Sequence, residues 1–65
     1  MPTIFFYGPE LSREKKKELI ESFTQKASEL TGIKKSGFVV YLQSSSPENV
    51  GVGGELLDDI KKRET

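Results

Sequence analysis

Two short apolar runs and one longer amphipathic segment organise the chain. The runs are TIFFY at Thr3–Tyr7 and FVVYL at Phe38–Leu42, and both are rich in β-branched and aromatic residues. Neither run alternates between apolar and polar positions, which is typical of strands covered on both faces, as in a parallel sheet. The pattern therefore predicts two parallel strands.

A helix is predicted between the two strands. Ser12 is suited to the N-cap, and Gly32 to the position just past the last turn, near Thr31. Between these two caps the apolar residues recur at helical spacing and form one stripe: Leu19, Ile20, Phe23, Ala27 and Leu30. A strand, a helix and a second strand of these lengths form a right-handed βαβ unit with parallel strands.

The remainder of the chain reads as a polar turn, SSSPEN, then GVGGEL, then the charged stretch DDIKKRET. GVGGE lacks the lysine and serine that end a phosphate-binding P-loop, so its glycines predict a tight turn instead. We therefore expect an α+β fold. It is a single domain over residues 1–65, a β-α-β protomer with parallel strands and a short C-terminal hairpin or tail.

Composition restricts the available chemistry. The chain contains neither cysteine nor histidine, which excludes thiol and imidazole catalysis as well as disulfides, and makes a metal site unexpected. Ten basic and ten acidic residues give zero net charge, which argues against a nucleic-acid partner. The longest apolar runs have four or five residues, too few for a membrane span, and no signal peptide precedes the first strand. We expect a cytoplasmic protein that contacts no membrane.

Self-association is the expected source of additional stability. A chain of 65 residues without disulfides or metals has difficulty burying a sufficient core alone. One helix covers only one face of a two-stranded sheet, and parallel sheets open to water are rare. The sequence therefore predicts a homo-oligomer.

Pro2 has two interpretations. Proline is suited to the first position of a strand because it has no N–H to offer the ladder. If Met1 is removed, however, Pro2 becomes the N-terminus and its ring nitrogen becomes a free secondary amine, which can act as a base. An apolar setting would lower the pKa of that amine toward the working pH, because burial disfavours the charged form. If the tail of another subunit closes over Pro2, that setting is offered by Ile4, Phe5, Phe6, Val50 and Val52.

Pro2 behind the initiator methionine, the strand–helix–strand spacing and the segment GVGGEL at Gly51–Leu56 together resemble the 4-oxalocrotonate tautomerase family. The resemblance spans essentially the whole chain. It implies β-α-β protomers that pair into dimers, three dimers in a homohexamer, and a tail packed on a neighbouring subunit. It also implies that Pro2 is the general base and acid that moves a proton between carbon and oxygen of a small enol or keto acid, without a cofactor.

The chain departs from that family in the residues that bind substrate. Family members carry two arginines where this chain has Leu11 and Val39, and an aromatic residue at the position of Val50. Arg13 and Tyr41 are candidate substitutes. The predicted substrate-binding set is therefore Leu11, Arg13, Val39, Tyr41, Val50 and Val52, and it favours a monoacid with an apolar tail over a dicarboxylate, because a buried unpaired carboxylate is costly.

Two other functions remain open at this stage. One is an oligomeric structural or interaction protein that has lost catalysis. The absence of the two arginines supports this alternative. The other is a hydratase or dehalogenase of the same superfamily, although this chain shows no acid and arginine set to activate water and hold the substrate.

Overall fold

The computed structural model describes residues 1–64. The strands are β1 (Thr3–Gly8), β2 (Val39–Ser44), β3 (Gly51–Val52) and β4 (Glu55–Leu56), and the helices are α1 (Arg13–Thr31) and α2 (Leu57–Glu64). Short 3₁₀ turns at Lys35–Gly37 and Pro47–Asn49 flank β2. β1 and β2 form a parallel two-stranded sheet, and β3 pairs with β4 as an antiparallel hairpin. The predicted β-α-β protomer with parallel strands and a C-terminal hairpin is confirmed.

Strands β1 and β2 pair over their full length, in a register that places Thr3 opposite Val39 and Gly8 opposite Ser44. Side chains alternate between the faces of a strand, so one face of the sheet packs on α1. Sheet and helix are in contact at Phe6 of β1 and Phe23 of α1, whose ring centroids lie 5.6 Å apart. The other face has no cover within residues 1–64, and we call it the open face. It carries Thr3, Phe5, Tyr7, Val39, Tyr41 and Gln43.

Helix α1 has the predicted ends. The Ser12 Oγ accepts the N–H of Lys15 at 3.3 Å, and the Gly32 N–H donates to the Ser28 carbonyl at 2.9 Å. Its 19 residues span about 28 Å, whereas a six-residue strand spans about 20 Å. The helix therefore extends beyond the sheet, and Leu30, although part of the apolar stripe, is 78% exposed.

The hairpin turns at Gly53–Gly54, where both φ angles are positive, 60° and 86°. This is the backbone of a two-residue turn whose twist matches the flanking strands, and glycine adopts it without steric cost. The predicted tight turn is confirmed.

Helix α2 was not predicted, because the sequence suggested only a charged tail after the hairpin. Its stretch is strongly polar, and what stabilises it is local. Lys62 pairs with Asp58 one turn earlier at 3.2 Å, while Arg63 binds both carboxylate oxygens of Glu55 at 2.8 and 3.2 Å. The Lys62–Asp58 pair has the spacing that supports a helix without a strong apolar stripe, and the Arg63–Glu55 pair connects the end of α2 to β4.

The apolar core of the protomer is thin. No side chain among residues 1–64 is fully buried, and on the open face Phe5, Tyr7 and Tyr41 are 62%, 69% and 53% exposed. The strands were predicted to be covered on both faces, but within one protomer α1 covers only one of them. Cover for the second face remains a prediction about other copies of the chain. No helix within residues 1–64 has the length and apolar composition needed to cross a bilayer.

Candidate active site

Pro2 lies immediately before β1, at the edge where both parallel strands begin. Its carbonyl oxygen accepts the N–H of Val39 at 3.1 Å, so the backbone of Pro2 extends the ladder without using its nitrogen. The ring is half-buried, whereas Met1 is 88% exposed. Removal of Met1 would therefore disturb little of the fold and would leave a free amine at the sheet edge.

The residues predicted to bind substrate do not surround Pro2 within one protomer. Leu11 and Val50 lie beyond the opposite ends of the strands, about 20 Å away along six residues of β1. Leu11 lines a small cavity with Phe6 and Leu42, so its side chain packs between helix and sheet. Arg13 is the first residue of α1 and is exposed.

Three further predicted residues lie on or near the open face and the hairpin. Val39 is the closest of them to Pro2, through the backbone hydrogen bond just described. Tyr41 stacks on Phe5 with ring centroids 5.1 Å apart and an interplanar angle of 11°. Val52, on β3, is 53% exposed. The structure thus brings Pro2 together with Val39 and separates both from Leu11 and Val50.

A groove of about 720 Å³ lies where β1 and β2 end, and we call it the strand-end groove. This volume is within the usual range for small-molecule sites, which often lie at the carboxyl ends of parallel strands. Its walls come from the end of β1, the end of β2, the following 3₁₀ turn and α2. The lining residues are Tyr7, Gly8, Pro9, Glu10, Ser44, Ser45, Ser46, Pro47, Val50, Leu57 and Lys61.

Glu10 in this groove is already engaged. Lys16 Nζ lies 2.5 Å from its Oε1, and the Ser44 hydroxyl donates to its Oε2 at 2.5 Å. These two contacts, that with Lys16 being the stronger, hold the pKa of Glu10 below its usual value of 4.5. Glu10 is therefore a charged and paired carboxylate near neutral pH, which makes it unsuited to act as a proton carrier. Residues 1–64 contain no cluster of three or more side chains suited to hold a metal ion.

Of the groove residues, the sequence analysis had assigned only Val50 to a site, and Tyr7 and Lys61 are among those it did not identify. Tyr7 was assigned only to a strand, and Lys61 only to the charged stretch at residues 58–65. The signal for Lys61 was available in its spacing, because residues four apart share one face of a helix. Leu57 and Lys61 have that spacing, but the signal depends on a helix that was not predicted.

Comparison with known proteins identifies the family. Residues 2–60 match the family model described as "Tautomerase enzyme". The chain belongs to the tautomerase family. The match begins at Pro2 and includes both strands, α1 and the hairpin, and it confirms the resemblance inferred from the sequence. Among proteins with curated functions, none matches this tautomerase family member in sequence.

Three solved structures show the same fold. DmpI from Helicobacter pylori is 26% identical, with a TM-score of 0.85 over 94% of this chain and 97% of that one. DmpI from Archaeoglobus fulgidus is 40% identical, with a TM-score of 0.83 over 89% of this tautomerase family member and all of that chain. YwhB, a homologue of 4-oxalocrotonate tautomerase, is 27% identical, with a TM-score of 0.83 over 89% of this chain and 97% of that one.

Proposed function

We propose that the chain, once Met1 is removed, is a keto–enol tautomerase. In this reaction the free amine of Pro2 takes the proton from the enol oxygen of a small 2-hydroxy-enoic acid. The resulting ammonium returns a proton to carbon, and the product is the 2-keto acid. Family membership supports the proposal. The observation that carries it is the position of Pro2, whose nitrogen the fold does not use while its carbonyl is engaged by Val39.

The amine needs a less polar environment than one protomer supplies. A pyrrolidine amine is strongly basic, and a proton carrier works best when its pKa is near the working pH. Pro2 is only half-buried in the protomer. Covering it with apolar surface would lower its pKa, because burial disfavours the ammonium form.

A second copy of the chain would supply that surface and complete the site. Pro2 and the strand-end groove lie at opposite ends of β1, so neither alone holds both a base and a place for the substrate. In a two-fold symmetric pair, one copy's strand beginnings face the other copy's strand ends if the sheets run antiparallel. We propose that such dimers form and assemble further into a hexamer.

The test combines mass spectrometry, which shows whether Met1 has been removed, with a ketonisation assay. Processed protein should ketonise phenylenolpyruvate or 2-hydroxymuconate. Pro2→Ala should slow this reaction by about 10²-fold or more if proton transfer dominates. Chain that retains Met1 is the matched control, because it has the same side chains but an amide at Pro2, and it should be inactive.

Two results would contradict the proposal. One is Met1-retaining chain that is as active as processed chain. The other is processed chain that is assembled but inactive on both enol acids. That second result would favour the catalytically silent structural protein, for which Leu11 and Val39 in place of arginines are the supporting observation. A hydratase or dehalogenase is less favoured, because Glu10, the carboxylate in the groove, is engaged by Lys16 and Ser44.

A further inference from the structure

The basic run at the end of the chain contains one cation without an acidic partner. Lys62 pairs with Asp58 at 3.2 Å, and Arg63 is held by both carboxylate oxygens of Glu55. Lys61 stands beside these two but forms no ion pair or side-chain hydrogen bond with any residue from 1 to 64. Its ammonium group is therefore available to an anion.

The start of α2 determines where this ammonium lies. The Leu57 N–H donates to the Val50 carbonyl at 2.7 Å, which joins the first turn of α2 to the segment that follows the 3₁₀ turn. Lys61 is one helical turn further, on the same side as Leu57. Both side chains line the strand-end groove.

The charge of the groove favours an anion. Among the described residues that line it, Glu10 is the one carboxylate and Lys61 the one cation. Lys16, which is outside this lining, and the Ser44 hydroxyl already engage Glu10. The positive charge of Lys61 is thus not neutralised within the groove, while Val50 and Leu57 add apolar surface beside it.

We propose that Lys61 binds the carboxylate of the substrate in the strand-end groove. This inference rests on the proposed function, in which Pro2 of a second copy lies over the groove. Lys61 then supplies the positive charge for the substrate carboxylate that Leu11 and Val39 cannot supply. An ammonium group is a compact single charge rather than a fork of donors, so it binds one carboxylate, and the apolar part of the acid contacts Val50 and Leu57. The site therefore selects a monoacid with an apolar tail.

Binding of a carboxylic acid that is not turned over tests this inference separately from catalysis. Cinnamate has an apolar tail and no enol proton, and cinnamamide is its neutral counterpart. Their affinities are measured by calorimetry or NMR titration with processed wild type, Lys61→Met, Lys61→Arg and Lys62→Met. The two methionine variants have the same net charge, so Lys62→Met is the matched control, and circular dichroism verifies that each variant is folded.

Cinnamate should bind wild type more tightly than cinnamamide does. Lys61→Met should weaken cinnamate binding about three- to fivefold, the upper part of the range for one exposed ionic contact. Cinnamamide binding should stay within about twofold, because the lost contact is ionic. Lys61→Arg should retain cinnamate binding, and Lys62→Met should behave as wild type. In the ketonisation assay, Lys61→Met should raise KM for phenylenolpyruvate more than it lowers kcat.

The outcomes separate this inference from the proposed function. Unchanged cinnamate binding in Lys61→Met overturns the role of Lys61 even if the protein is an active tautomerase. Equal loss in Lys62→Met does so too when the circular dichroism of that variant matches wild type, because the Lys62–Asp58 pair supports α2. Lys61-dependent binding of cinnamate in a protein without tautomerase activity supports the carboxylate site and overturns the proposed function.

Discussion

Replacement of Phe5 by threonine should dissociate the assembly. Phe5 lies at the centre of the open face, stacks on Tyr41 and is 62% exposed in the protomer. Threonine is β-branched and, like phenylalanine, is favoured in strands, so the change removes apolar area without disturbing the ladder. If a second copy covers the open face, this area is buried only in the oligomer.

The expected size of the effect follows from that exposure. Full burial of a phenylalanine side chain contributes about 1.5–3 kcal/mol, so burying the 62% of Phe5 that is exposed contributes about 1–2 kcal/mol per copy. A symmetric interface uses the residue twice, which gives about 2–4 kcal/mol per dimer. The dissociation constant should therefore rise by about 30- to 1,000-fold.

Analytical ultracentrifugation over a range of concentrations measures this change, and thermal unfolding at the same concentrations shows whether folding and assembly are coupled. Leu30→Gln is the matched control, because Leu30 is also apolar and 78% exposed but lies where α1 extends beyond the sheet. The reasoning is refuted if wild type is a folded monomer at micromolar concentration, or if Leu30→Gln dissociates the oligomer as strongly as Phe5→Thr does.

Four further changes test individual parts of the structure. Ser12→Ala removes the N-cap of α1 and should lower the free energy of unfolding by about 1 kcal/mol in urea titrations. Gly54→Ala forces a side chain into a positive-φ position and should cost about 1–2 kcal/mol in thermal unfolding. The pKa of Glu10 is lowered mainly by Lys16. The ionised Glu10 therefore stabilises the fold above the usual carboxyl pKa of 4.5, and this stabilisation is lost as the pH falls through the lower pKa of the folded state. Glu10→Gln should flatten the acid side of the stability–pH curve measured by chemical unfolding. Val39→Arg should raise kcat/KM for 2-hydroxymuconate, a diacid, more than for phenylenolpyruvate, as steady-state kinetics would show.

The sequence by itself determined the elements whose causes are local. Ser12 and Gly32 end α1 where the sequence predicted, because a cap depends on a few neighbouring backbone groups. The turn at Gly53–Gly54 was equally predictable from the φ angles that glycine allows. Two apolar runs separated by one helix leave a parallel pairing as the favoured topology. The same residues, together with Pro2, carried the resemblance to the family.

Only the tertiary structure decided which side chains share a site. The resemblance to the family grouped Pro2 with Leu11 and Val50, whereas within one protomer a six-residue strand separates Pro2 from the other two by about 20 Å. These residues can therefore meet only between copies of the chain. The role of Lys61 was hidden for a related reason. Its direction depends on α2, and α2 depends on a backbone hydrogen bond from Leu57 to Val50 and on ion pairs rather than on an apolar period. Contacts of this kind connect residues through space, so local patterns of polarity carry little information about them.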